Sequence, residues 1–185
     1  MFRSELPMTE ARAERLMNVI TENTGLLAQG VELITSIDPE LYANNSHEYF
    51  SSGVGKHFRH VLDFYDRFLG GHRSTVDYEA RSRDARIESD PEYAASRAAD
   101  VSAALDSLAA PAPVDSSLRV RCEILDANGD GIESASSLER ELAFLSSHTV
   151  HHYAIIALLL RVQGVKTPAD FGVAPSTLRY RASQS

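Results

Sequence analysis

Two histidines, His148 and His152, stand four residues apart within a strongly apolar stretch of the chain. If this stretch is helical, both fall on one stripe with the spacing of a buried helical face, shared with Leu138, Leu142, Leu145, Ile155, Leu159 and Val162. A buried polar group without a partner costs about 1–3 kcal/mol, so two imidazoles on adjacent turns require one. Since side chains at i and i+4 lie one above the other, a divalent metal bound by both is the simplest partner.

A third ligand is available upstream, where His57 and His60 lie on a second amphipathic segment. A catalytic zinc-type site uses three protein ligands and leaves one position open for water or substrate. On a helical wheel His57 falls inside the apolar arc and His60 at its edge, so periodicity favours His57. A site that must stay open to solvent favours His60. The residues alone leave this choice open, and they also allow a bundle without metal whose histidines bond to carbonyls or hydroxyls.

The composition is that of an ordinary globular protein, with 43% hydrophobic and 24% charged residues in a chain of 185. This length suits a single domain, 1–185, with one core. The net charge of −8 disfavours nucleic-acid binding, which depends on phosphate neutralisation by basic residues.

Three further features predict a cytoplasmic protein that does not enter the membrane. The longest apolar run, Tyr153 to Leu160, is far shorter than the ~20 residues that span a bilayer. The first residues lack the apolar core of a secretory signal. A single cysteine, Cys122, excludes an intrachain disulfide and fits a reducing compartment.

Four helices are predicted from apolar periodicity and stop signals. Asp38-Pro39 ends the first, Gly70-Gly71 ends the second, and Pro91 suits the first turn of the third. Their expected ranges are 9–37, 54–69, 91–108 and 137–163. A loop over 40–53 and a charged connection over 72–90 join the first three.

Alternating residues over 118–125 predict a strand, and 132–134 a short return strand after the turn Asp126–Gly131. That turn matches half of an EF-hand loop, but its twelfth position is Ser137 in place of the bidentate Glu, so we interpret it as a hairpin turn. The tail, 166–185, has room for a short helix or turn. The fold class expected from these elements is all-α, a four-helix bundle with a small β-hairpin before the last long helix.

Two segments together resemble the DinB-like superfamily of four-helix bundles, which includes bacillithiol- and mycothiol-dependent transferases. Gly55–Asp63 reads Gly-Lys-His-Phe-Arg-His-Val-Leu-Asp, and Ser147–Ala154 reads Ser-His-Thr-Val-His-His-Tyr-Ala. The resemblance implies an up-down-down-up bundle. It also implies that His60, which an apolar pair and an acid follow, joins the pair His148 and His152 as the three metal ligands.

The resemblance further implies a metal-dependent thiol S-transferase, or a related hydrolase or isomerase, that joins a low-molecular-weight thiol to a small electrophile as a homodimer. Zinc, nickel and iron all suit imidazole ligands, and such a metal acts as a Lewis acid on a bound water or thiol. No residue is assigned as a general base; Asp63, His57 and His151 are candidates. Arg81 or Arg83 is a candidate for holding an anionic ligand over the site. The rival class is a non-enzymatic metal-binding or stress-response homodimer.

Overall fold

The structure is a computed structural model that describes residues 10–109, 117–125 and 131–184, of which 122–125 are described by their backbone alone. Seven helices and three strands are present in these ranges. The helices are α1 (Glu10–Ser36), α2 (Pro39–Ala43), α3 (Val54–Gly71), α4 (Ala85–Ser89), α5 (Pro91–Ser107), α6 (Leu138–Val162) and α7 (Pro175–Ala182). The strands are β1 (Thr75–Asp77), β2 (Ser117–Leu125) and β3 (Gly131–Ser137).

The four long helices form the predicted bundle, in which α1 and α3 each pack against both α5 and α6. The helices α1 and α6 run parallel. Near their beginnings, Arg12 Nε lies 3.1 Å from Glu139 Oε1. Further along both, the Tyr153 hydroxyl donates to the carbonyl of Leu26 at 2.9 Å.

The helices α3 and α6 run antiparallel, since the start of one meets the later part of the other. His57 contacts His152, and one to two turns onward Phe64 contacts Phe144. This opposite direction sets the histidines of α3 beside those of α6. The histidines of α3 and α6 are therefore positioned by the packing of two helices that are distant in sequence.

The fourth helix, α5, runs parallel to α3. The short α4 leads into it beside the start of α3, where Glu88 Oε1 lies 2.7 Å from Arg59 Nε. Further along, Arg97 of α5 pairs with Asp66 of α3. The order of directions is thus up, down, down, up for α1, α3, α5 and α6, as the resemblance implied.

The strands β2 and β3 form the predicted antiparallel hairpin, although its turn, 126–130, lies outside the described residues. A third strand, β1, pairs with β2 in parallel, within the segment that we expected to be a charged connection. Only Val76 at its centre is fully buried. A strand this short carries no periodic signal, because its partner is remote in sequence.

The buried face of α6 differs by one position from the predicted stripe. Its centre holds Thr149 and Tyr153, both fully buried, while His148 and His152 are half-buried and Val162 is exposed. The hydroxyl of Thr149 contacts Tyr65, and that of Tyr153 bonds to a carbonyl of α1. These polar atoms can be buried because they have partners, and the histidines therefore lie at the border of the core.

By length and composition α6 would be long enough to cross a membrane, and it is the one described helix of which this holds. A core helix meets the same criterion. In this fold α6 packs against both α1 and α3, with Glu141 fully buried among its core positions. Its apolar character is explained by the bundle interior.

Candidate metal centre

Three histidines from two helices converge on one point. His60 of α3 and His148 and His152 of α6 each offer a ring nitrogen, and the three atoms lie within 4.8 Å of one another. The Nε2 atoms of His60 and His148 are 3.2 Å apart. All three side chains are half-buried, so the cluster lies at the edge of the core and not within it.

His57 lies behind this cluster, beside one of its members. Its Nδ1 is 2.9 Å from Nδ1 of His152, which leaves Nε2 of His152 directed elsewhere. His151 is exposed and meets the His152 ring edge-on at a centroid distance of 5.2 Å. The choice that periodicity left open therefore falls to His60 as the α3 member of the cluster, and His57 becomes a neighbour that orients His152.

Aromatic side chains that were not predicted to belong to the site orient His148. Its ring stacks on Phe64 at a centroid distance of 4.0 Å, and Phe64 in turn stacks on Tyr78 at 5.0 Å. The Nδ1 atom of His148 is buried without a hydrogen-bond partner among the described residues. One signal was present in the sequence: Phe64 lies one helical turn after His60.

Burial holds the clustered imidazoles in their neutral form. Desolvation is the first cause that lowers the pKa of His60 and His148 to about 4, and that of His152 to about 2. The Arg81 guanidinium lowers the pKa of His60 further, and the neighbouring His148 ring lowers that of His152. Desolvation also lowers the pKa of His57. Near pH 7 the rings are therefore unprotonated, the form in which imidazole binds a metal.

A segment that we call the arginine loop, residues 78–83, covers one side of the cluster. Arg81 Nη1 lies 3.0 Å from Nδ1 of His60. The loop is held at its start by the Tyr78 hydroxyl, which donates to Glu141 Oε2 at 2.8 Å. Of the two arginines considered from the sequence, Arg81 reaches the cluster, whereas Arg83 approaches α3 through its backbone.

Asp63 holds the other end of the arginine loop. It is 1% exposed and accepts hydrogen bonds from Arg59, from the Ser82 hydroxyl at 3.1 Å and from the Arg83 amide at 3.3 Å. The last bond supports the left-handed backbone of Arg83, with φ 53°. With its oxygens engaged in this way, Asp63 is a structural anchor and a poor candidate for a general base.

The donor set fits a divalent cation. Two imidazole nitrogens bound to one metal at about 2.0–2.1 Å in tetrahedral geometry lie about 3.3 Å apart, close to the 3.2 Å between the Nε2 atoms of His60 and His148. Three neutral nitrogen donors suit zinc, nickel or iron. The orphaned Nδ1 of His148 is also consistent, because ligation through Nε2 places the proton on Nδ1.

A separate cleft of about 340 Å³ lies between α1, α6 and α7. Its α6 residues, including Ser146 and Val150, are on a different helical face from His148 and His152. None of the described residues that line the cleft is a histidine, and the cleft is distinct from the candidate metal centre.

Comparisons with known proteins agree with this architecture. The family model described as the DinB family matches residues 16–177. The solved structure of YfiT from Bacillus subtilis, described as a probable metal-dependent hydrolase with an unusual four-helix bundle topology, superposes with a TM-score of 0.53 at 17% identity, covering 89% of this chain and 93% of that one. At 17% sequence identity, this similarity shows a shared fold and nothing more specific.

One curated relative matches a smaller share of its own length. FK506-binding protein 5 of Rhizopus delemar is 28% identical over 162 residues, which make up 86% of this chain and 37% of that protein. The chain therefore spans little more than a third of this relative.

Proposed function

Because this chain belongs to the DinB family, we propose that it is a cytoplasmic metal-dependent enzyme whose ligands are His60, His148 and His152. The observation that carries the proposal is the convergence of three neutral imidazoles from two helices, although His60 and His148 are separated by 88 positions in the sequence. Local structure cannot create this arrangement, because the two helices are distant in sequence. Zinc, nickel or iron is the expected cofactor.

The reaction proposed is thiol S-transfer, with hydrolysis or isomerisation as related possibilities. A divalent metal held by His60, His148 and His152 would supply Lewis acidity, which favours the deprotonated form of a thiol. A thiolate sulfur then forms a bond to an electrophilic carbon, the thiol proton passes to solvent, and any leaving group departs with its electron pair. The chain's own contribution is to fix the imidazoles: His57 orients His152, and Phe64 orients His148.

Metal binding is tested first, by titrating purified protein with zinc, nickel and iron(II) in a calorimeter. Wild type is expected to bind one ion, and His148→Ala to lose at least about a hundredfold in affinity because one of three ligands is missing. His151→Ala is the matched control, since His151 lies on the same helix but is exposed. Equal stoichiometry and affinity in all three proteins would contradict the assignment of His148 as a metal ligand.

The reaction is tested with metal-loaded protein, several low-molecular-weight thiols and an aryl halide electrophile. Acceleration that disappears in His148→Ala is expected. Absence of acceleration with every thiol, while metal is bound, would favour the alternative.

The alternative is a non-enzymatic metal-binding or stress-response protein that acts as a homodimer. The observation in its favour is an apolar face on α6, where Leu158 and Val162 lie four residues apart with exposures of 59% and 49%. Sedimentation equilibrium tests it: a dimer that Leu158→Asp dissociates supports this face as the interface, and a monomer at all concentrations contradicts the dimer.

A further inference from the structure

Arg81 determines which nitrogen of His60 carries a proton. A guanidinium has only N–H donors, and Arg81 Nη1 lies 3.0 Å from His60 Nδ1. The Nδ1 atom must therefore present a lone pair, so the proton of neutral His60 is on Nε2. That proton lies on the atom that faces His148 at 3.2 Å.

The proton position on His60 also determines the proton position on His148. If His60 Nε2 donates, His148 Nε2 accepts, and the proton of neutral His148 is on Nδ1. No described residue donates to His148 Nδ1, which is buried without a partner, so no contact in the described part of the chain opposes a proton there. Arg81, His60 and His148 thus form one directed chain of hydrogen bonds.

This chain is incompatible with ligation of a metal by His60 through Nε2. A ligating imidazole must have its lone pair on Nε2 and, when neutral, its proton on Nδ1. The Nδ1 proton would then face an N–H of Arg81, and two donors cannot bond to each other. Arg81 requires the proton of His60 on Nε2, whereas a metal at Nε2 requires it on Nδ1. Arg81 and the metal therefore cannot both bind His60 at the same time.

Once separated from His60, Arg81 keeps a long ion pair with Glu79 as its charged contact among the described residues. Its side chain is 16% exposed, and its nearest carboxylate oxygen, on the half-exposed Glu79, is 3.9 Å away. Its Nε is already buried without a partner in the described part of the chain. Its guanidinium lies 5.5 Å from the centre of the Phe64 ring, which keeps it beside the cluster. A buried cation that loses its acceptor is costly unless an anion replaces it.

We propose that metal binding at His60 releases Arg81 to bind a carboxylate carried by the thiol substrate. The inference rests on the proposed function and names its substrate class. Because Nδ1 and Nε2 lie on opposite edges of one ring, a carboxylate that binds Arg81 would be a different group of the substrate from the thiol that a metal at Nε2 would bind. A carboxylate is favoured over a phosphate dianion, since Glu79 is close to Arg81 and the protein carries a net charge of −8.

The first test is the proton position on His60, read from nitrogen-15 NMR of histidine-labelled protein. In metal-free wild type, Nδ1 of His60 is expected to be unprotonated and Nε2 protonated. In the zinc-loaded protein the proton is expected on Nδ1. A proton on Nδ1 in the metal-free protein would overturn the role of Arg81.

The second test is ligand affinity, read from the visible absorption of cobalt-loaded protein. The probe is 3-mercaptopropionate, and its neutral match is 3-mercaptopropanamide. Wild type is expected to prefer the carboxylate by at least about tenfold, the factor that a charge-assisted hydrogen bond supplies. Arg81→Met should remove that preference, and Arg73→Met, which removes an exposed arginine, should retain it.

A second variant separates loss of the contact from loss of folding. Arg81→Lys keeps the charge but not the planar fork of donors, and it is expected to retain part of the preference. Equal affinities for the two probes in cobalt-loaded wild type would contradict the role of Arg81 but would not affect the assignment of the metal ligands. Failure of wild type to bind cobalt would sink the proposed function as well.

Discussion

His152 differs from the other clustered histidines because its second ring nitrogen has a fixed imidazole partner. Ligation through Nε2 places its proton on Nδ1, which then donates to Nδ1 of His57 across 2.9 Å. A ligand histidine held by such a second contact keeps its tautomer and orientation. His148 has an aromatic stack in that place, whereas the neighbour of His60, Arg81, offers only donors and cannot support the proton on Nδ1 that ligation through Nε2 requires.

We expect His57→Phe to lower metal affinity by about 10- to 100-fold, because His152 loses the acceptor that orients it. His151→Phe should have no effect, since His151 is exposed. Competitive titration against a chromogenic chelator measures both constants. Similar losses in the two variants would show that bulk near the site, and not the His57 contact, controls affinity.

The pH dependence of metal affinity follows from the lowered pKa values. Protons compete with metal only where the ligands titrate, about pH 4 for His60 and His148 and about pH 2 for His152. Affinity should therefore change less than about twofold between pH 8 and pH 6, against about 70-fold for three imidazoles with the ordinary pKa of about 6.5. Chelator competition at pH 8, 7 and 6 checks this, and a steep loss across that range would contradict the burial of the ligands.

At the scale of elements, α1 and α6 approach closely at Gly30. A β-carbon there would overlap the Tyr153 hydroxyl and lie 2.8 Å from Phe58. The hydroxyl cannot move freely, because it is bonded to the Leu26 carbonyl. This contact fixes the position of α6, and hence of its histidines, against the rest of the bundle.

Gly30→Ala should lower the free energy of unfolding by about 1–3 kcal/mol, the usual effect of overpacking a core. Gly25→Ala is the matched control on the same helix. No atom lies within 4 Å of its added β-carbon, so it should raise stability by about 0.5–1 kcal/mol through helix propensity. Urea denaturation measures both, and equal changes would refute the close approach.

The arginine loop is attached to α3 mainly by Asp63. Asp63→Asn should lower the free energy of unfolding by about 2–3 kcal/mol, because charged hydrogen bonds in a buried place are weakened. The amides of Ser82 and Arg83 should then exchange hydrogen faster. Asp66→Asn is the control: its carboxylate pairs with Arg97 at 28% exposure and should contribute less than about 1 kcal/mol. Unchanged exchange in Asp63→Asn would show that the loop is held elsewhere.

At the scale of the whole molecule, a metal would join two helices that belong to one predicted domain, 1–185. Because it binds only where α3 and α6 are packed together, it favours the folded state by mass action. At a free metal concentration of about 100 times the dissociation constant, the expected gain is about 2.7 kcal/mol.

Thermal unfolding with and without zinc measures this gain. Wild type should unfold in one transition that zinc moves to higher temperature, and His151→Ala should behave in the same way. His148→Ala should show a much smaller shift, because its affinity for the metal is lower. Two separate transitions would contradict the single domain, and an equal shift in His148→Ala would contradict the ligand set.

Much of the fold was predictable because its long helices have strong apolar periods and clear end signals. The predicted range 91–108 ends one residue from the observed α5, and Pro91 begins that helix. The Gly70-Gly71 pair was placed just outside α3 but forms its last turn. The short elements were difficult to predict from the sequence, above all β1, because a strand of three residues is defined only by its pairing with another strand.

The sequence by itself determined that His148 and His152 share one helical stripe and that a second histidine-bearing helix exists to meet them. Only the tertiary structure decided that His60 joins them, that His57 lies behind His152, and that Arg81 contacts His60. The reason is physical. Periodicity fixes the face on which a residue lies, but the rotation and axial level of one helix against another depend on close contacts such as that at Gly30, which involve residues far apart in the chain.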